Sequence, residues 1–120
     1  MTAAAFGPIL VVEDDAFIAG AIRGALEDEG FSAIVARSVA EATARFDEVA
    51  PALILLDWNL PDGSGEDVLR AVRPRASVPV VVMSAQRDAI VASWAFDTRE
   101  RLAKPFDVDR VVALARRYCE

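Results

Sequence analysis

The sequence predicts a single α/β domain built on a parallel sheet with helices packed on both faces. Two observations carry this. Five short apolar runs rich in Val, Ile and Leu alternate with stretches of helical period along the chain. Four of these runs, the first, third, fourth and fifth, also stop at polar residues able to do chemistry, as expected where strand ends line a site.

Ile9-Leu10-Val11-Val12 is short, continuous and β-branched, the pattern of a strand buried on both faces. Ile18, Ile22 and Leu26 then recur at i, i+4 beside Ala21 and Ala25, a helical stripe that Gly30 is placed to end. Phe31 to Ala36 reads as the second strand. Ser38 stands three residues before Glu41, the spacing of a reciprocal capping box. Val39, Ala42, Phe46 and Val49 give the helix behind it an apolar face, and Pro51 closes it. Leu53-Ile54-Leu55-Leu56 is the third strand. Pro61-Asp62-Gly63 forms a turn, and Ser64 with Asp67 caps a helix carrying Val68, Leu69 and Val72.

Val78 to Met83 is the fourth strand, with Pro79 tolerable near its start. Ile90, Val91 and Trp94 suggest a short helix, and Leu102-Ala103 a weak fifth strand. Val108, Val111, Val112 and Ala115 form a last stripe, followed by Arg116 and Arg117, which suit a helix C-terminus. Residues 1–120 therefore read as one domain with its core at about 8–118.

Composition narrows the function classes. A hydrophobic fraction of 54% supports a packed core and argues against disorder. With 13 Lys and Arg against 19 Asp and Glu, the net charge of −6 disfavours direct nucleic-acid binding. The lone Cys119 allows no internal disulfide, and the absence of His removes the usual general base. No apolar run is long enough to span a bilayer and no signal-peptide pattern opens the chain, so a cytoplasmic setting without membrane contact is expected.

The candidate chemistry sits at the strand ends. Glu13-Asp14-Asp15 follow strand one, Asp57 strand three, Ser84 strand four and Lys104-Pro105 strand five. Clustered carboxylates repel and raise one another's pKa, and a divalent cation relieves the repulsion. Mg²⁺, or Mn²⁺, suits such a set because it takes few carboxylates and accepts phosphate oxygens as further ligands. Asp57 is the candidate nucleophile toward phosphorus. Glu13 and Asp14 with Asp57 are candidate metal ligands, joined by the backbone carbonyl of Asn59. Lys104 can hold a phosphoryl oxygen, and Ser84 can donate its hydroxyl to another. Asp15 reads as a helix cap, Trp58 as a ring lying over the acidic pocket, Trp94 as partial core and Cys119 as a bystander.

Those residues, together with Leu55-Leu56-Asp57-Trp58-Asn59-Leu60-Pro61-Asp62-Gly63-Ser64-Gly65, Val82-Met83-Ser84-Ala85 and Lys104-Pro105-Phe106, resemble the motifs of response-regulator receiver domains. The resemblance implies a three-layer flavodoxin-like fold: a five-stranded parallel sheet of order 2-1-3-4-5 with five helices. It implies Mg²⁺-dependent phosphorylation of Asp57 by a sensor histidine kinase or histidine phosphotransfer protein. It makes Glu13 and Asp14 the acidic pair, Ser84 the switch hydroxyl and Lys104 the conserved-type lysine, with a cis bond at Lys104-Pro105. The expected role is that of a switch, not a turnover enzyme.

Arg101 occupies the position where the family usually carries an aromatic switch residue, and the region from Arg87 to Glu100 is shorter than usual. Arg87, Arg99, Arg101, Arg110, Arg116 and Arg117 read as an ordinary solvated face, with a basic docking face for a downstream protein partner, formed by the fourth helix, fifth strand and fifth helix, as the alternative. Two alternatives stand beside the main reading. A haloacid-dehalogenase-like phosphatase would need an acid two residues after the nucleophile, where this chain has Asn59. A degenerate receiver would serve only for protein docking.

Overall fold

The computed structural model describes residues 7–73, 78–85 and 100–119. Of Glu100 only the backbone is described. Strands β1 (Ile9–Val12), β2 (Ala33–Ala36), β3 (Leu53–Asp57), β6 (Val80–Ser84) and β7 (Glu100–Ala103) form one parallel sheet in the order β2-β1-β3-β6-β7. Without the small hairpin β4 (Asn59–Leu60) and β5 (Gly63–Ser64), this is the expected 2-1-3-4-5 arrangement. The hairpin is a departure from the simple turn expected at Pro61-Asp62-Gly63. Asn59 pairs with Ser64 and Leu60 with Gly63, which leaves Pro61-Asp62 as its two-residue connection.

Four helices lie among the described residues, not the five expected: α1 (Ala16–Asp28), α2 (Val39–Val49), α3 (Gly65–Val72) and α4 (Val108–Cys119). The short helix expected around Ile90 to Trp94, and Trp94 itself, lie outside the described residues, as do Arg87 and Arg99. Strand boundaries shift modestly. Phe31 stands before β2, buried, with its N–H donating to the Leu26 carbonyl at 3.0 Å. Weakly patterned β7 extends to four residues because each pairs with β6.

Two apolar layers sandwich the sheet. One joins Ile9, Val11, Leu53, Leu55, Val81 and Met83 to α1 and α4; the other joins Leu10, Val12, Ile54, Leu56, Val80 and Val82 to α2 and α3. The odd–even split is the two-residue period of strands, and continuous apolar runs are required because both faces are covered. Each fully buried Leu, Ile or Val contributes about 1.5–3 kcal/mol relative to exposure. Ile22 and Leu26 of α1 are fully buried, as the stripe demands. Cys119 is buried among apolar neighbours.

Caps fix where the helices start. Asp15 Oδ1 accepts the N–H groups of Phe17 at 2.9 Å and Ile18 at 3.1 Å, so Asp15 is a cap, as expected. Gly30, at φ 91°, follows the end of α1 in the left-handed region that glycine adopts freely. The capping box at α2 is only half formed. Ser38 Oγ accepts the Glu41 N–H at 3.0 Å, but the Glu41 carboxylate takes the N–H of Arg37 at 3.4 Å instead of that of Ser38. Asp67 does close back on its cap, accepting the Ser64 N–H at 3.0 Å.

Candidate functional site

Parallel register brings the strand ends to one rim. Val12 pairs with Leu56 and Asp57 with Met83, while Ser84 pairs with Ala103. Glu13 and Asp14 therefore emerge beside Asp57, and Lys104 emerges beside Ser84, whose carbonyl accepts the Lys104 N–H at 3.0 Å. Glu13, Asp14, Asp15, Asp57, Asn59 and Lys104 line an open cleft of about 410 Å³.

One carboxylate oxygen from each of Glu13, Asp14 and Asp57 lies within 4.8 Å of the other two. Glu13 and Asp57 are 1% and 4% exposed, while Asp14 faces solvent. Lys104 Nζ lies 2.7 Å from Glu13 Oε1 and 3.2 Å from Asp57 Oδ1. One ammonium thus faces two buried carboxylates. Burial pushes the Glu13 carboxyl up to about 7; the Lys104 hydrogen bond opposes this, and the adjacent Asp57 reinforces it. Burial alone would lower the Lys104 pKa, but its bond to Glu13 and the charges of Asp57 and Glu13 raise it.

A hard divalent cation fits this donor set. Three carboxylate groups with oxygens within 4.8 Å of one another, two of them withdrawn from water, carry more negative charge than Lys104 can balance. Asn59 stands exposed at the cleft edge, its backbone held by pairing with Ser64. Ser84 is buried at the end of β6. The Lys104-Pro105 peptide is cis, as the resemblance implies. Arg101, opposite Val82 in β7, is half-buried and stands outside the cleft.

Trp58 corrects an expectation. Its ring does not lie over the acidic cleft; it is buried in the α2/α3 layer, against Gly65. A Cβ at Gly65 would approach Trp58 Cε3 to 2.7 Å, and the Gly65 N–H donates to the Trp58 carbonyl at 2.7 Å. The sequence gives an aromatic after Asp57 no preferred face, whereas a bare glycine α-carbon opposite makes room for the indole.

Two residues close to the rim make contacts that no local pattern in the sequence announces. Arg37 donates through Nη2 to the Asp14 carbonyl at 3.0 Å. Asp62 accepts the Val39 N–H at 2.7 Å and the Ala40 N–H at 3.1 Å, which lowers its carboxyl pKa.

A sequence profile described as "Response regulator receiver domain" matches residues 9–116. The chain belongs to this family. It is 34% identical over 116 residues to response regulator RR06 of Streptococcus pneumoniae, a match spanning 92% of this chain and 54% of that protein. It is 36% identical over 110 residues to MtrA of Mycobacterium leprae, described as a DNA-binding response regulator, spanning 90% of this chain and 49% of that one. The chain thus spans about half the length of the curated relatives it matches. The receiver domain of NtrX from Brucella abortus superposes with a TM-score of 0.85 at 29% identity, covering 92% of this chain and 97% of that one. A receiver of two-component response regulators is a signalling module, and its acidic pocket is where such domains bind Mg²⁺. No helix among the described residues is long and apolar enough to cross a membrane.

Proposed function

We propose that this receiver accepts a phosphoryl group on Asp57 from a sensor histidine kinase or histidine phosphotransfer protein. The observation that carries the reading is the placement of Lys104 Nζ 3.2 Å from Asp57 Oδ1, with the carboxylate oxygens of Glu13, Asp14 and Asp57 within 4.8 Å of one another. A carboxylate oxygen of Asp57 attacks phosphorus, the bond from phosphorus to the donor nitrogen breaks, and the leaving imidazole keeps the electron pair. Glu13, Asp14, Asp57 and the Asn59 carbonyl hold Mg²⁺ or Mn²⁺. Bound there, the ion shields the approach of one anion to another and neutralises charge on the transferring group. Lys104 releases Asp57 to hold a phosphoryl oxygen, and Ser84 donates its hydroxyl to another.

A donor protein finds apolar surface beside the cleft. Phe17 (85% exposed), Ile18, Ala21, Pro105 and Phe106 line a groove of about 350 Å³ that shares Lys104 with the acidic site. Phosphorylation then shifts a pre-existing equilibrium between conformations, read by a downstream protein partner at β7, α4 and the segment before them. The cytoplasm suits such a soluble exchange, and the net charge of −6 argues against direct nucleic-acid contact by these residues. The role is that of a switch, not of a turnover enzyme; the phosphatase alternative gains nothing, since residue 59 is Asn.

Acetyl phosphate with Mg²⁺, followed by intact mass, tests the reading. Wild type gains one phosphoryl group and Asp57→Asn gains none. Equal uptake by both proteins, or none by wild type, would end the proposal and favour a docking-only receiver.

A further inference from the structure

The turn between β2 and α2 touches both loops that supply the proposed metal ligands, although no motif points to it. At one end, the exposed Arg37 donates through Nη2 to the backbone carbonyl of Asp14 at 3.0 Å. At the other, the Asp62 carboxylate accepts the Val39 and Ala40 N–H groups at 2.7 and 3.1 Å. Those amides belong to the first turn of α2, where helical bonding provides no acceptor. The following Glu41 N–H goes to Ser38 Oγ at 3.0 Å and the Ala42 N–H to the Ser38 carbonyl at 2.9 Å. The start of α2 is therefore capped by two carriers. Ser38 is local; Asp62 comes from the hairpin that bears Asn59.

We propose that Arg37 and Asp62, neither of which lines the acidic cleft, are positioning residues that brace the Asp14 and Asn59 loops against the start of α2 and thereby set divalent-cation affinity. The inference rests on the reading of the cleft as a Mg²⁺ site. Its physical basis is preorganisation. Mg²⁺ demands near-ideal geometry and dehydrates reluctantly, so ligands carried on two loops bind it well only if the loops are held in register. Asn59 is held on one side by its pairing with Ser64 and, through the two-residue Pro61-Asp62 connection, on the other by α2. Asp14 has no strand partner of its own, and its carbonyl is tied to Arg37.

Charge and bracing make opposite predictions at Arg37, which makes the idea testable. Removing a cation near an acidic cleft tightens a divalent ion if only the field matters. Removing a brace weakens it. The experiment is a Mn²⁺ titration of the unphosphorylated chain by electron paramagnetic resonance, with urea melts of each variant. Arg37→Met and Asp62→Ala are each expected to weaken Mn²⁺ about tenfold, the low end of what loss of an outer-shell partner costs. Ser38→Ala removes the local cap without touching either loop; it should lower the urea midpoint and leave Mn²⁺ affinity within about twofold. If Asp62→Ala fails to fold, Asp62→Asn, which keeps one oxygen acceptor, takes its place with a smaller expected loss.

Tighter or unchanged Mn²⁺ binding in Arg37→Met overturns the brace. So does a Ser38→Ala variant that loses as much affinity as Asp62→Ala, since helix stability alone would then explain the effect. Asp14→Asn separates the two levels of the argument. A wild-type chain whose Mn²⁺ binding is absent, or indifferent to Asp14→Asn, overturns the metal site and the brace together. Binding that depends on Asp14 but not on Arg37 or Asp62 overturns the brace alone.

Discussion

Replacing Lys104 with Met removes the only cation among the described residues that pairs with both Glu13 and Asp57, and the geometry sets what this should cost. Lys104 Nζ lies 2.7 Å from Glu13 and 3.2 Å from Asp57, with a side chain 19% exposed. At an effective dielectric near 20, each contact contributes about 5 kcal/mol of attraction before desolvation. Glu13 and Asp57, within 4.8 Å of each other, repel by at least about 3.5 kcal/mol on the same scale when both are ionised. Breaking a buried pair costs about 3–5 kcal/mol, and the partial exposure of Lys104 lowers this to about 2–3. Urea melts in chelator above the Glu13 pKa of about 7 should show that loss, and thermal melts a fall in Tm of about 10 °C. The sign of the Mg²⁺ effect is more discriminating. Lys104 competes with a divalent ion for the same oxygens, so Mg²⁺ should stabilise Lys104→Met by more than it stabilises wild type. A loss below about 1 kcal/mol, or a smaller Mg²⁺ increment in the variant, would refute the electrostatic account of the cleft.

Three further outcomes are expected. Glu13, held up at about 7 against 4.5 when unfolded, binds more protons in the folded chain across that window, so metal-free stability falls as pH rises through it. The drop is on the order of 3 kcal/mol, and urea melts of Glu13→Gln should lack it; a wild-type stability that stays flat across the same window would contradict the assignment. Asp62, whose pKa is lowered, contributes stability present above its unfolded value and lost as pH falls through the folded one. Acid titration of Asp62→Asn should show a shallower loss, and an identical acid limb would count against the Val39 and Ala40 bonds. Gly65→Ala drives a methyl group to 2.7 Å from the Trp58 ring and 3.2 Å from its backbone, and should cost about 1–3 kcal/mol with a changed near-UV circular dichroism signal. A neutral substitution there would mean that the indole has room the structure does not show.

The sheet and the residues gathered at its rim were legible in the sequence because both obey strict local rules. Ile9 to Val12 and Leu53 to Leu56 are buried on two faces, so each strand is an unbroken apolar run that ends where polar residues emerge. Glu13, Asp14, Asp57 and Lys104 are legible for the same reason: each follows or ends such a run. Contacts between residues far apart in the chain were not legible. Asp62 lies 23 residues from Val39, and Arg37 lies 23 residues from Asp14. Nothing in a Pro-Asp-Gly turn announces a helix cap on another element. The α2 capping box failed for a related reason. Its spacing allows two reciprocal bonds, but Glu41 took the Arg37 amide, while Asp62, from another element, accepts the next two helix amides, Val39 and Ala40. The burial of Trp58 depended on a glycine seven positions away, and the extent of β7 on pairing with β6, neither of which has a local signature.

Strand parity ties the unusual Arg101 to the proposed switch without placing it in the chemistry. Val82 faces the α2/α3 layer while Val81 and Met83 face the other, so Ser84, two residues after Val82, returns to the Val82 side. Register sets Arg101 opposite Val82 and Ala103 opposite Ser84. Arg101 therefore shares a sheet face with Ser84, one pleat repeat back from the rim, while its neighbour Leu102 is buried on the opposite side. In the switch proposed above, a Ser84 hydroxyl drawn toward a phosphorylated Asp57 leaves space on that face for the side chain at position 101 to move inward. An aromatic ring gains apolar burial by such a move. A guanidinium must shed water and find partners for its donors, at a cost of several kcal/mol if they stay unpaired. In the proposed switch, position 101 would act on the conformational equilibrium, while Glu13, Asp14, Asp57 and Lys104, at the strand ends, supply the geometry proposed for phosphoryl acceptance.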